Sequence, residues 1–197
     1  MHNCIFSGHC SNQLCDKSCP TLAETTYLLE RNKISMNNKV FNADKNKIDE
    51  FSHVIDSADE HVCTVISKDS VSDADLLTYV AICKTWKGSR LHCTAYNLKF
   101  FKYIEDIKKS WSTKSESESL EYTRVFANSA KILIISNVDY VNFRDFECQT
   151  LLTLIQSRCQ KGFITIVVTP PLSSLVGDSP FFGKLVSLLK GGQSSGR

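Results

Sequence analysis

Four of the nine cysteines crowd the start of the chain, at Cys4, Cys10, Cys15 and Cys19. Four thiolates at these intervals can converge on one ion, and a tetrahedral Zn²⁺ takes four such donors. A segment this short has no hydrophobic core, so bound metal would supply its folding energy. The sequence therefore predicts a zinc site made by these cysteines, with His9 as the substitute ligand. An iron–sulfur cluster and free thiols are the alternatives.

The remaining five cysteines are scattered through apolar segments, which is typical of small core residues. The sequence lacks the basic start and apolar run of a secretory signal, so we expect a reducing, cytoplasmic location in which clustered cysteines bind metal. Its apolar runs are too short to cross a bilayer. A net charge of +2 makes no case for nucleic acid by itself. The scattered cysteines are Cys63, Cys83, Cys93, Cys148 and Cys159.

The most specific pattern lies in Ile132–Ile155 (ILIISNVDYVNFRDFECQTLLTLI) and in Gly162–Pro171 (GFITIVVTPP). It resembles the Walker B strand, the following helix and the next strand of the AAA+ bacterial helicase loaders, the DnaC/DnaI and IstB-like group. That family shows an apolar strand ending in two acids, a phenylalanine-containing loop and a helix with paired leucines. The matching framework positions are Tyr140, Phe143, Phe146, Glu147, Leu151, Leu152 and Ile155.

The catalytic positions of that pattern do not match. Ser136 and Asn137 stand where the family has its two acids, and neither supplies the anionic charge that holds Mg²⁺ or polarises the attacking water. Pro170 replaces the polar sensor residue after the next strand. The segment Gly177–Leu189 resembles the family's trans-acting arginine segment but contains no arginine.

The same register places Ser67–Ala74 (SKDSVSDA) where a P-loop, GxxxxGK[ST], is expected before a helix that begins near Asp75. Ser67 and Ser72 replace the two glycines, Asp73 replaces the lysine and Ala74 replaces the magnesium-binding hydroxyl. The predicted loop therefore repels a polyphosphate instead of attracting it. With four parts of one catalytic apparatus altered, the resemblance implies a pseudo-ATPase, and we expect no bound ATP.

Alternating β-branched runs and amphipathic stretches predict the elements that position these residues, and they indicate an α/β fold with a mainly parallel sheet. The resemblance makes this an AAA+-like, P-loop NTPase-type sheet flanked by helices. Lysines and aromatic residues in the helix after the second strand suggest nucleic-acid contact, but Glu105 and Asp106 favour a solvated amphipathic face. The predicted strands are Val62–Ile66, Arg90–Ala95, Lys131–Ile135 and Phe163–Thr169; the predicted helices are Thr21–Glu30, Asp73–Lys84, Leu98–Trp111 and Asp145–Gln160; and Ser112–Ser119 is predicted as a loop.

Composition divides the chain into a cysteine-rich zinc module with a short helix (1–31), a linker rich in Asn and Lys (32–57), the degenerate AAA+-like domain (58–190) and a functionless tail, either disordered or artificial (191–197). The resemblance implies a catalytically inactive replication accessory protein of a phage or mobile element. Its expected partners are a hexameric replicative helicase or an active helicase loader, with single-stranded DNA and self-association as further contacts. The alternatives are an unconventional NTPase that uses other residues and a zinc-bearing single-stranded DNA-binding protein.

Overall fold

A parallel sheet of four strands forms the centre of the computed structural model, which describes residues 27–34, 45–58, 62–86, 95–113 and 117–192. The strand order is β1-β5-β3-β2, and β4 and β6 form a separate two-stranded parallel sheet. The strands are β1 (Val62–Ile66), β2 (Ala95–Lys99), β3 (Ile132–Ser136), β4 (Asn142–Phe143), β5 (Ile164–Thr169) and β6 (Val176–Gly177). The helices are α1 (Lys45–Ser57), α2 (Ser70–Trp86), α3 (Phe100–Thr113), α4 (Glu118–Ser129), α5 (Asp145–Cys159) and α6 (Phe182–Gly191), and residues 27–31 are also helical.

Helices cover both faces of the four-stranded sheet. Successive side chains of a strand point to opposite faces, so each strand contributes to two cores. Ile134 and Ile166 join a cluster with α1 and α2, whereas Leu133 and Val167 join a cluster with α3, α4, α5 and α6. This arrangement confirms the predicted α/β fold with a parallel sheet flanked by helices. It also explains why β3 is an unbroken apolar run, since a strand buried on both faces has no polar side.

Arg158 ties several elements together at the amino edge of the sheet. Its guanidinium is fully buried and donates to the carbonyl oxygens of Ala127 and Ile164, each at 2.7 Å, and to the hydroxyl of Thr165 at 3.0 Å. Burial lowers the pKa of Arg158 to about 10, so the side chain stays charged at neutral pH. The arginine thus joins the end of α4 to α5 and to the start of β5.

The structure corrects the predicted linker at 32–57 over its described residues. Residues 45–57 form α1, which buries Phe51, Val54 and Ile55 against α2. Asn32 is also buried, and its side chain donates to the carbonyl oxygen of Leu28 at 2.8 Å. The composition of the linker is polar, but a narrow apolar stripe at helical spacing is enough to bury one side of α1. The domain boundary itself stays a prediction.

Three further element predictions need correction. The second strand is Ala95–Lys99, later than the predicted Arg90–Ala95, and residues 90–94 lie outside the described part. Within the predicted loop Ser112–Ser119, α3 continues to Thr113, and Ser117 caps α4 by accepting a hydrogen bond from the backbone N–H of Leu120. The predicted tail at 191–197 begins inside the fold.

The end of α6 packs against the first strand. The carbonyl oxygen of Gly192 accepts a hydrogen bond from the N–H of Thr64 at 2.6 Å, on the outer edge of β1. Residues 191 and 192 therefore belong to the folded unit, because they satisfy a donor that an edge strand would otherwise leave open. Among the described helices, none is both long and apolar enough to cross a membrane.

Candidate functional site at the carboxyl edge of the sheet

The carboxyl ends of β1, β5 and β3 lie side by side, and the residues that follow them meet at one edge. Ile66 pairs with Thr169, and the N–H of Ser67 donates to the carbonyl oxygen of Thr169 at 2.9 Å. Pro170 follows directly on β5. Ser136 ends β3, where it pairs with Lys99 of β2. In open α/β sheets ligands bind at this edge, so the predicted nucleotide-site positions stand where such a site belongs.

The connection from β1 to α2 is much shorter than predicted. Only Ser67, Lys68 and Asp69 separate the strand from the helix, which begins at Ser70 instead of near Asp75. Asp69 starts the helix early, because its side-chain Oδ1 accepts a hydrogen bond from the N–H of Ser72 at 3.2 Å. Ser72, Asp73 and Ala74 consequently lie in the first turns of α2, and the predicted loop of Ser67–Ala74 does not form.

Asp73 is held by two partners inside this junction. The hydroxyl of Ser67 donates to its Oδ2 at 2.6 Å, and Lys47 of α1 forms an ion pair with its Oδ1. The N–H of Asp69 in turn donates to the hydroxyl of Ser67 at 3.0 Å. Asp73 carries the carboxylate that the sequence predicts at this position, and Lys47 compensates its charge. The junction is filled by its own side chains.

Ser136 belongs to a buried polar network that crosses from β3 to α2. Its hydroxyl donates to Asn97 Oδ1 at 3.0 Å, and Asn97 Nδ2 donates to Asp75 Oδ1 at 2.9 Å. The backbone N–H of Asn97 donates to Asn32 Oδ1 at 2.8 Å. Burial raises the pKa of Asp75 above its ordinary value, against the opposing charge of Lys99 and the Asn97 hydrogen bond. The position at which the resemblance predicts a Walker B acid is thus occupied by a hydroxyl that is hydrogen-bonded to Asn97.

Asn137 adopts a left-handed backbone conformation directly after β3, with φ of 59°. Its Oδ1 is buried and has no hydrogen-bond partner among the described residues, and the same holds for Thr169 Oγ1 on β5. Asp139, two residues further, is exposed. At the end of β3, Ser136 and Asn137 therefore offer neutral polar atoms at the positions where the resemblance predicts the two acids of a magnesium site.

The predicted metal ligands Cys4, Cys10, Cys15 and Cys19 lie outside the described residues, as does His9. Within the described ranges, no group of three or more His, Cys, Asp or Glu side chains is placed to hold a metal ion. Of the scattered cysteines, Cys63, Cys83 and Cys148 are buried, as predicted for core residues, and Cys159 is partly buried; Cys93 is outside the described part.

A second surface feature lies between α3 and the start of α5. It is a cavity of about 390 Å³, lined among others by Phe101, Lys108, Tyr140, Arg144 and Glu147, which we call the aromatic groove. The Phe101 and Tyr140 rings are 6.3 Å apart and exposed, at 39% and 60%.

Nearby on the same side, the rings of Trp111 and Phe146 pack edge-on, with 4.7 Å between the ring centres. The Trp111 side chain is 58% exposed. Glu147 forms an ion pair with Lys108 beside the groove. Burial by itself would raise the pKa of Glu147, but hydrogen bonds from Lys108 and from backbone N–H groups hold it below its ordinary value. Sequence reasoning singled out the α3 lysines and aromatics but missed Tyr140 and Arg144 as their neighbours.

No protein-family model matches the sequence, and no curated protein matches it either. Among solved structures, the chain is similar to the replication initiator DnaA bound to AMPPCP and single-stranded DNA, with a TM-score of 0.54 and 13% identity. The match covers 90% of this chain and 50% of that one, so the chain spans about half the length of the DnaA chain. At this identity the likeness is one of fold alone. The fold is therefore an α/β fold with a parallel sheet flanked by helices, similar to that of DnaA.

Proposed function

We propose that this protein is a catalytically inactive, AAA+-like replication accessory protein whose sheet domain serves assembly instead of ATP hydrolysis. One observation carries the proposal: the β1–α2 junction is closed by its own side chains. In a P-loop, backbone N–H groups and a lysine hold the phosphates. Here the side chain of Asp69 accepts the hydrogen bond from the N–H of Ser72. Asp73 stands at the position expected for the lysine, where it is hydrogen-bonded to Ser67 and ion-paired with Lys47.

The end of β3 supports the same reading. Phosphoryl transfer by P-loop enzymes requires a magnesium ion and an anionic residue that helps to hold it. Ser136 is neutral and hydrogen-bonded to Asn97, and Asn137 is neutral as well. Ser136 and Asn137 therefore supply no charge at the end of β3, and Asp73 replaces the lysine that a P-loop would have at the β1–α2 junction.

Partner binding is assigned to the cysteine module. Four thiolates are a donor set that fits Zn²⁺, so Cys4, Cys10, Cys15 and Cys19 would hold the ion and fold the module around it. By its resemblance to helicase loaders, the module contacts a replicative helicase or an active loader of a phage or mobile element. The similar structure, DnaA, is a replication initiator, which agrees with a role at the same stage. In that case the protein has one of three roles: it loads the helicase without hydrolysing ATP, it serves as a scaffold for the helicase, or it blocks the helicase.

A nucleotide titration tests the inactive site. The purified chain is mixed with a fluorescent ATP analogue and Mg²⁺, with an active helicase loader as positive control. We expect no saturable binding and no phosphate release. An Asp69→Ala/Asp73→Ala double variant removes the closing side chains and leaves Ser136 in place, so it still hydrolyses nothing. Turnover by the wild-type chain would overturn the proposal and favour an unconventional NTPase.

Co-purification with the helicase tests the partner separately. Replacing Cys15 and Cys19 by Ser should release zinc, measured by metal analysis, and abolish capture of the helicase or loader. Cys159→Ser is the matched control, because Cys159 is a partly buried free thiol that is not among the four predicted ligands. Capture that survives the loss of zinc would rule out the module as the docking surface.

Single-stranded DNA binding is the second candidate function, and the aromatic groove favours it. Exposed rings of Phe101, Tyr140 and Trp111 surround a surface that also carries Lys108 and Arg144. Bases stack on such rings while cations contact the backbone. The DnaA structure to which this fold is similar was itself bound to single-stranded DNA.

Fluorescence anisotropy with a labelled thymidine oligonucleotide tests this candidate. Tyr140→Ala should weaken binding by about 1–3 kcal/mol, the usual loss for one stacked base. Tyr122→Ala is the control, because Tyr122 is equally exposed (64%) on α4, away from the groove. Affinity should also fall steeply with salt. Equal binding by both variants would remove the groove as the DNA site.

A further inference from the structure

The outer side of α4 exposes large apolar side chains directly after two glutamates in its first turn. Tyr122 is 64% exposed and Val125 is 55% exposed, although both lie in the middle of the helix. Residues three and four apart share one side of a helix, so these groups form a continuous strip. The strip borders an open cavity of about 450 Å³. We call it the α4 face, and its residues are Glu118, Glu121, Tyr122, Val125 and Phe126.

The chain approaches this face from its amino-terminal side. The guanidinium of Arg31 lies 3.5 Å from the centre of the Phe126 ring, a cation–π contact. Tyr27 stands one helical turn before Arg31, on the same side of the helix, and is 62% exposed. The Asn32 side chain fixes this segment with two hydrogen bonds: it donates to the carbonyl oxygen of Leu28 and accepts from the N–H of Asn97 on β2. The residues before Tyr27 therefore start within about one turn of the α4 face.

The preceding segment, residues 1–26, needs a surface of this kind. It contains the apolar residues Ile5, Phe6, Leu14 and Leu22 but is too short to enclose them in a core of its own. An extended chain spans about 3.3 Å per residue, so the segment is long enough to reach every part of the face. Exposed apolar side chains on both sides gain free energy when they cover each other.

We infer that residues 1–26 dock on the α4 face of their own chain, with their apolar side chains covering Tyr122 and Val125. This docking places the cysteine module beside β2 and α4, on the flank of the sheet that carries Asn32 and Asn97. It depends neither on the metal nor on the fate of the nucleotide site, so it stands or falls independently of the proposed function.

Hydrogen–deuterium exchange on the full chain tests the inference. The wild type is compared with Tyr122→Glu and Val125→Asp, which place charge on the α4 face, and with Val176→Asp. Val176 is a matched control because it is 65% exposed on β6. We expect deuterium uptake by residues 1–26 to rise several-fold in both α4 variants and to stay at the wild-type level in the control. Unchanged uptake across β3 shows that the variants remain folded.

Two results would overturn the inference. Equal uptake by residues 1–26 in the wild type and in both α4 variants means that the segment does not rest on this face. A wild-type dimer in sedimentation, dissociated by Val125→Asp while uptake by residues 1–26 is unchanged, assigns the face to a second copy of the chain.

Discussion

Gly192 lies where the end of α6 meets the first strand, and there is no room for a side chain. A Cβ atom added at this position would stand 2.2 Å from the carbonyl oxygen of Val62. Gly183, at the start of the same helix, would meet nothing within 4 Å. The two glycines thus differ in whether the backbone of a neighbouring strand approaches them closely.

We predict that Gly192→Ala destabilises the fold by about 1–3 kcal/mol, because α6 must move away from Val62 and weaken the Thr64 hydrogen bond. Gly183→Ala is the control and should be neutral or stabilising by up to about 1 kcal/mol, since alanine favours the helix. Urea unfolding measures both. A neutral Gly192→Ala would mean that residue 192 does not contact β1 in solution.

Asp75 links stability to pH. Burial raises its pKa, so folding favours the protonated form. The stability gained by protonation is complete when the pH is below the ordinary pKa of 3.8. It is lost as the pH rises through the higher pKa that Asp75 has in the folded state.

We predict that Asp75→Asn, which keeps an oxygen to accept from Asn97, becomes more stable relative to the wild type as pH rises above about 4. Denaturation at several pH values measures this trend. A difference between Asp75→Asn and the wild type that stays flat with pH would contradict the assigned burial.

At the scale of elements, α1 shows how a polar segment becomes part of the core. Its residues are mostly charged or polar, yet Phe51 is only 2% exposed and packs among residues of α1 and α2. Lys47 of the same helix reaches Asp73. The helix therefore supports both one core cluster and the closed β1–α2 junction.

Phe51→Ala should cost about 3–5 kcal/mol, the usual loss for a buried phenylalanine. Phe101→Ala, at a ring that is 39% exposed on α3, should cost clearly less. Thermal unfolding compares the two variants with the wild type. If both variants lost only a small and equal amount of unfolding free energy, residues 45–57 would behave as a linker, as the sequence predicts.

The elements differ in how well sequence could predict them. β3 and β5 consist mainly of Ile, Leu and Val between polar residues, and such runs are typical of strands that are buried on both faces. α1 and α4 bury only narrow stripes, such as Leu120 and Ala127 in α4. Their sequences consequently resemble those of loops. These helices form because their apolar stripes pack against the rest of the folded domain.

The candidate site was predictable in position but not in chemistry. Strand order alone brings Ser67, Ser136 and Pro170 to one edge, because parallel strands end together. The partner of Asp73 was not predictable, since Lys47 comes from a helix far away in sequence. Likewise, nothing local indicates that Asn97 joins Ser136 to Asp75. Such contacts arise only when the layers pack.

For the whole molecule, we predict that the cysteine module and the sheet domain respond separately to metal removal. Among the described residues, both core clusters are made by side chains from Leu29 to Leu189, on elements of the sheet domain and the helices around it. Chelation, or Cys15→Ser with Cys19→Ser, should release the zinc and abolish helicase capture but leave the main unfolding transition unchanged. Calorimetry with metal analysis measures both effects. A collapse of the main transition on chelation would show that the metal also holds the sheet domain.

The hydrogen bonds around Asn97 oppose an acid at the end of β3. Aspartate in place of Ser136 would set a carboxylate oxygen against Asn97 Oδ1, another acceptor, while Nδ2 remains engaged by Asp75. It would also add a second negative charge close to Asp75, whose charged form burial already disfavours. A carboxylate at this position would therefore demand coordinated changes on β2, β3 and α2.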